Sequence, residues 1–155
     1  MTEAIKARLL IVDDEEDMLK LLKRSLSVDL SCEIETASNA FQALALLEGG
    51  PFDVVLADIR MPGMGGMEVL KNIKEKNRAA GVIMLSAYGD PETVNEALRL
   101  GADALCVTAF PGSRHEEATL ETLAREVARA LALGGLPVAR LRLAEGPNSF
   151  VEVTP

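Results

Sequence analysis

The chain has no tryptophan, one tyrosine and four phenylalanines, so its interior must rest on Leu, Val, Ile, Ala and Met. Cysteine is almost as scarce. Cys32 and Cys106 lie far apart within apolar stretches, and they read as reduced core residues of a cytoplasmic protein, not as a disulfide framework. No apolar run reaches the ~18 residues of a membrane span, and the N-terminus lacks the basic-then-apolar pattern of a signal peptide. Positive charge is short as well: 16 Lys+Arg stand against 24 Asp+Glu, a net charge of −8. With no basic cluster to offset it locally, direct binding to a phosphate backbone is disfavoured. Internal repeats and low-complexity segments are absent, and the small residues Gly63 to Gly66 lack the spacing of a P-loop or a dinucleotide fingerprint; they read as a flexible loop. What is present is 155 residues that are 48% hydrophobic, enough for one ordinary domain with one core.

Two short apolar runs, Leu9-Leu10-Ile11-Val12 and Val54-Val55-Leu56-Ala57, are each followed at once by Asp. They are too short for globular helices and read as strands buried on both faces of a parallel sheet. Cys32 to Thr36, Val82 to Leu85 and Ala104 to Thr108 fit the same description, making five strands. Helical spacing fills the gaps. Met18, Leu22 and Leu26, widened by Leu19 and Leu21, mark a first helix. Ser38 is placed to cap a second helix through Leu47, ended by Gly49-Gly50. Val69, Leu70 and Ile73 mark a third, from about Gly66 to Lys76. Asp90-Pro91 opens a fourth, with Val94, Ala97 and Leu98 on its apolar side and Gly101 at its end. Leu120, Leu123, Val127, Ala130 and Leu131 supply a fifth. Strand and helix alternate five times with short connections, which predicts an α/β fold: a doubly wound five-stranded parallel sheet with five helices. Residues 1–135 form this domain, and 136–155 form a C-terminal extension. There Val138 to Leu143 alternate basic and apolar, and Phe150 to Val153 has the pattern of a short strand, consistent with either a β-hairpin or a mobile tail.

In such a sheet, ligands bind beyond the carboxyl ends of the strands. Asp13 and Asp14 end the first strand and Asp58 ends the third, so neighbouring strands would bring three carboxylates into one pocket. Each alone has an ordinary reading as a cap or turn residue. Together they raise one another's pKa unless a cation separates them, and an oxygen cluster without His or Cys suits Mg²⁺ rather than zinc. A carboxylate can also act as a nucleophile toward phosphorus, helped by hydroxyl donors and a cation. Ser86, ending the fourth strand, offers a hydroxyl, although a lone Ser is more commonly a capping or turn residue.

Four segments carry a resemblance to a known family: Ile11-Val12-Asp13-Asp14-Glu15, Leu56-Ala57-Asp58-Ile59-Arg60-Met61-Pro62-Gly63-Met64-Gly65-Gly66, Leu85-Ser86-Ala87-Tyr88-Gly89-Asp90 and Gly101-Ala102-Asp103. From about Ala7 to Leu133 the chain resembles the response-regulator receiver domains of two-component signalling. The resemblance implies a flavodoxin-like strand order 2-1-3-4-5 and phosphorylation by a histidine kinase or phosphotransfer protein. It implies Asp58 as phosphoacceptor, with Asp14 and Asp58 binding Mg²⁺ directly, Asp13 acting through a metal-bound water, and the backbone carbonyl of Arg60 completing the protein ligands. Ser86 matches the family's switch hydroxyl. Arg60 and Tyr88 fall at positions that tune acyl-phosphate lifetime in the family.

The departures are as specific as the matches. Where the family has Lys-Pro at the end of the fifth strand, this chain has Thr108-Ala109, and no lysine follows Lys76. Leu105 stands at the family's switch aromatic. Pro111 to Ala118 reads as an inserted loop holding the single histidine, His115, an ordinary solvated residue in that setting.

The resemblance implies a cytoplasmic phosphorelay protein that is not an enzyme beyond self-phosphorylation and autodephosphorylation. It would act on a downstream protein or a second copy through the face made by the fourth helix, fifth strand and fifth helix, and would contact neither nucleic acid nor membrane. The missing lysine motivates an alternative, a phosphorylation-independent binding or dimerisation module. A phosphatase ranks last, because Arg60 stands where such enzymes place a general acid. The twenty or so residues after Leu133 are too few for a DNA-binding unit, as expected of a stand-alone receiver or of one cut from a larger regulator.

Overall fold

The structure, a computed structural model, describes residues 7–30, 32–61, 63–76, 80–86, 91–107, 127 and 150–151. Strands β1 (Ala7–Val12), β2 (Cys32–Ala37), β3 (Val54–Asp58), β4 (Gly81–Ser86) and β5 (Ala104–Val107) alternate with helices α1 (Glu16–Asp29), α2 (Ala40–Glu48), α3 (Gly66–Lys76) and α4 (Pro91–Arg99). All five strands run parallel in the order β2-β1-β3-β4-β5, which is the expected doubly wound arrangement. A sixth strand, β6 (Phe150–Val151), adds to the outer edge of β5 in the antiparallel sense.

The central strands are apolar throughout because both faces are covered. Leu9, Ile11, Val54, Leu56, Ile83 and Leu85 pack with Leu19, Leu22 and Leu26 of α1, and Val127 joins them. Leu10, Val12, Val55, Ala57, Val82 and Met84 face the other way, onto Ala40 and Ala43 of α2, Val69, Leu70 and Ile73 of α3, and Ala97 of α4. Strand pleating sends successive side chains to opposite faces, so one four-residue run feeds two cores.

Three sequence expectations are revised. Asn39, not Ser38, caps α2: its side chain accepts from the Gln42 N–H at 2.8 Å. Ser38 lies one residue further out, and both its N–H and its hydroxyl donate to Gln42 Oε1. Helix α2 begins at Ala40, and a cap must directly precede the first helical residue. Second, Cys32 is a free thiol but only partly buried, because it opens β2 on the sheet's edge. Third, the loop expected over Gly63 to Gly66 stops short of Gly66, which is the buried first residue of α3, where the helical spacing had placed it. The fifth helix enters the description only at Val127, which is helical and fully buried. Its other expected apolar positions lie outside the described residues, as do Asp90, the Pro111 to Ala118 loop and Val138 to Leu143.

Candidate functional site

Register brings the acidic residues together. Val12 pairs with Ala57 across β1 and β3, so Asp13, one residue beyond Val12, lies level with Asp58, the last residue of β3. The 45-residue separation in sequence collapses to one inter-strand spacing. Two backbone hydrogen bonds hold the level: the Asp13 N–H donates to Ala37 O at 3.1 Å, and the Ile59 N–H donates to Leu85 O at 2.9 Å. Carboxylate oxygens of Asp13, Asp14 and Asp58 all lie within 4.8 Å of one another.

Asp13 is buried, Asp58 is partly buried and Asp14 is exposed. Each of the first two has one backbone donor. The Glu15 N–H donates to Asp13 Oδ1 at 2.9 Å, and the Arg60 N–H donates to Asp58 Oδ1 at 3.1 Å. One donor does not offset burial. Loss of hydration, reinforced by the charges of Asp58, Asp14 and Glu15, lifts Asp13 from 3.8 to about 7. Burial, with Asp14 and Glu15 adding to it, lifts Asp58 to about 6, while its backbone bond and the Arg60 charge pull it down. Both carboxylates are therefore held above the ordinary Asp range, chiefly by burial and secondarily by their negative neighbours.

A hard divalent ion fits this donor set. Oxygen ligands converge from two strand ends, one carboxylate is open to solvent, and the surplus negative charge is what such an ion removes. The sequence reading had not found the two supports of the cluster. One is Glu15, which orients Asp13 through its backbone and charges the pocket through its side chain. The other is Gly66, whose N–H donates to Ile59 O at 3.1 Å, which draws the start of α3 against the Asp58 backbone. The run Asp13 to Asp17 and the glycines after Asp58 carried the signal for both.

Ser86 is the last residue of β4, one step past Leu85, the register partner of Asp58; its side chain lies outside the description. Thr108, Tyr88 and His115 are outside the described residues altogether.

The fold and the acidic cluster agree with the comparisons to known proteins. The model of the response regulator receiver domain matches residues 9–110, and the chain belongs to that family. It is 39% identical to regulatory protein AtoC of Escherichia coli strain K12 over 103 residues, covering 66% of this chain and 22% of AtoC. It is 36% identical to the chemotaxis protein CheY of Bacillus subtilis strain 168 over 116 residues, covering 75% of this chain and 97% of CheY. Among solved structures, Vibrio cholerae chemotaxis protein CheY4 superposes with a TM-score of 0.70 at 29% identity, over 81% of this chain and 99% of that one. The chain thus spans about a fifth of AtoC and nearly the whole of CheY. Among the described residues, no helix is long and apolar enough to cross a membrane.

Proposed function

We propose that the chain accepts a phosphoryl group on the Asp58 carboxylate from a histidine kinase or phosphotransfer protein, and thereby switches a protein contact. The observation that carries this reading is the convergence of Asp13, Asp14 and Asp58 at the carboxyl end of the sheet. Asp14 and Asp58 would hold Mg²⁺ directly, Asp13 through a water, and the Arg60 backbone carbonyl would complete the protein ligands. Bound there, the ion supplies positive charge that screens the oxygens of the transferred group.

An Asp58 carboxylate oxygen attacks phosphorus and forms a new O–P bond. The donor's P–N or P–O bond breaks, and its electron pair leaves with the imidazole, which takes up a proton, or with the acyl oxygen. Asp58 must be ionised to attack, so at its pKa of about 6 the nucleophile is available at neutral pH. Ser86 would donate its hydroxyl to the phosphoryl oxygens, and Thr108, standing at the family's lysine position, would offer a hydrogen bond without charge. The modified protein would present a changed surface of α4, β5 and the following helix to a partner or a second copy; phosphorylation selects between existing conformations. Residues 1–135 constitute the receiver and 136–155 an appended segment. A free thiol at Cys32 suits a reducing cytoplasm.

The test is intact-protein mass after incubation with a small-molecule phosphodonor. A gain of one phosphoryl group that needs Mg²⁺ and is lost in Asp58→Asn supports the reading. No gain under any donor condition sinks it.

A further inference from the structure

The five parallel strands leave two edges, β2 and β5, and the chain finishes them differently. β2 carries Glu33 and Glu35 in alternate positions, and acidic side chains on an edge strand discourage pairing with another strand. Glu35 is further held by Arg8 at 2.9 Å. β5, with the sequence Ala-Leu-Cys-Val, has no charge, proline or glycine, so nothing in its own composition guards the outward backbone groups. The chain fills that edge itself, pairing Leu105 with Val151 and Cys106 with Phe150.

The filled edge lies in line with the acidic site. Asp58 is the register partner of Leu85 across β3 and β4, and Ser86, the next residue, is the partner of Val107 across β4 and β5. Val107 in turn follows Cys106, where Phe150 is seated. The acceptor carboxylate, the hydroxyl-bearing end of β4 and the C-terminal strand are therefore joined by three successive ladders of one sheet. The last of these pairs only two residues, and a ladder that short opens locally at little cost in free energy.

Resting on the phosphoacceptor reading above, we propose that the outer edge of β5 is a strand-docking surface, that Phe150–Val151 is its internal ligand, and that this docking opposes phosphoryl acceptance on Asp58. β6 is docked on the unmodified chain, so its pairing stabilises the unmodified arrangement of β5. A contact that favours one of two arrangements shifts the population toward it. Linkage makes the effect reciprocal: holding β6 in place weakens binding of the phosphoryl group's equivalent at Asp58, and that binding loosens β6 by the same factor.

The experiment uses the full chain with Phe150→Cys, in a Cys32→Ser background so that Cys106 is the single other thiol. Directly paired positions of an antiparallel ladder have Cα atoms about 4.5–5.5 Å apart, within the span of a disulfide, so oxidation locks β6 onto β5 and reduction frees it. The probe is beryllofluoride, a non-covalent stand-in for the phosphoryl group, titrated in excess Mg²⁺ and followed by amide NMR. The oxidised form is expected to bind it about fivefold or more weakly than the reduced form. Adding reductant should restore the affinity in the same sample, which a misfolded variant would not do. Val151→Pro, which disrupts the ladder, is expected to bind at least as tightly as wild type. Failure of the disulfide to form overturns the docking, and equal or tighter binding by the oxidised form overturns the coupling. If wild type neither binds beryllofluoride nor gains mass from acetyl phosphate, the phosphoacceptor reading fails and takes this inference with it; if wild type does both and the lock changes nothing, this inference alone fails.

Discussion

The main chain of Gly66 packs directly against the carbonyl of Asp58: a Cβ at position 66 would fall inside the van der Waals envelope of the Asp58 backbone oxygen and within 3.0 Å of the Ile59 Cα. The start of α3 is thereby pressed against the residue that ends β3. The contact is between two backbones, so no rotamer change can relieve it. Gly63, three residues earlier, is glycine for another reason. It has φ +76° with open space around its Cβ position, so only its own backbone conformation is at stake.

Gly66→Ala is therefore expected to displace the Asp58 backbone, to cost about 2–3 kcal/mol of stability, and to impair phosphoryl acceptance. Gly63→Ala should cost about 1 kcal/mol and leave acceptance nearly unchanged. Urea midpoints and phosphoryl mass gain measured on both variants check the pair. Equal effects from the two substitutions would refute the close-contact account.

Asp13 and Asp58 titrate higher in the folded chain than a free Asp does, to about 7 and about 6 against 3.8. Between roughly pH 4 and pH 7 the folded state therefore holds more protons than the unfolded state, so metal-free stability falls as pH rises through that window. The total loss should be on the order of 2 kcal/mol once coupling and partial exposure are allowed for. In chelator at pH 7, Asp58→Asn should melt several degrees higher than wild type, roughly 3–6 °C, and the advantage should disappear near pH 4. Adding Mg²⁺ should raise the wild-type melting temperature at pH 7 and leave Asp58→Asn less responsive.

The cap of α2 separates two adjacent candidates. Asn39→Ala should destabilise by about 1 kcal/mol, because it removes the acceptor for the Gln42 N–H. Ser38→Ala deletes only an exposed hydroxyl bond to Gln42 and should cost about 0.5 kcal/mol or less. Chemical denaturation of the two variants decides the order.

At the opposite end of the sheet, Asp103 Oδ2 accepts from the Val82 N–H at 2.7 Å and from Lys74 Nζ at 2.9 Å. Asp103→Ala leaves a strand N–H without its acceptor and the Lys74 ammonium with only the longer bond to Ala80 O at 3.4 Å, and is expected to cost about 2–3 kcal/mol. Lys74→Ala should cost less, since Asp103 keeps the Val82 bond. The double variant should cost less than the two single losses added together, which a denaturation cycle measures directly. A strictly additive cycle would mean that the ion pair contributes nothing.

Strands β1, β3 and β4 could be read in the sequence because burial on both faces requires every residue of a short run to be apolar, as in Leu9 to Val12. Helices α1 and α3 could be read because a one-sided helix must repeat its apolar positions every three to four residues. Other features left no comparable local mark. Ser38 and Asn39 are both good caps, and the choice between them depends on where the first helical turn begins. Whether the end of the chain forms a hairpin or a free tail was open, since the pattern of Phe150 to Val153 does not specify a partner. The partner is β5, through Leu105 with Val151 and Cys106 with Phe150, and such long-range pairing has no sequence signature.

The candidate site divides along the same line. The residue types at the strand ends, Asp13, Asp14, Asp58 and Ser86, follow from the sequence alone, because an abrupt change from apolar to acidic or hydroxyl marks where a buried strand meets solvent. Their nearness was decided by tertiary structure: pairing Val12 with Ala57 sets Asp13 beside Asp58, while a shift of one residue would have turned the side chains of one strand to the opposite face. The electrostatics came from the same step. Isolated in the chain, Asp13 and Asp58 would be ordinary carboxylic acids. Folding removes their water and brings their charges together, and that turns them into a site that calls for a cation.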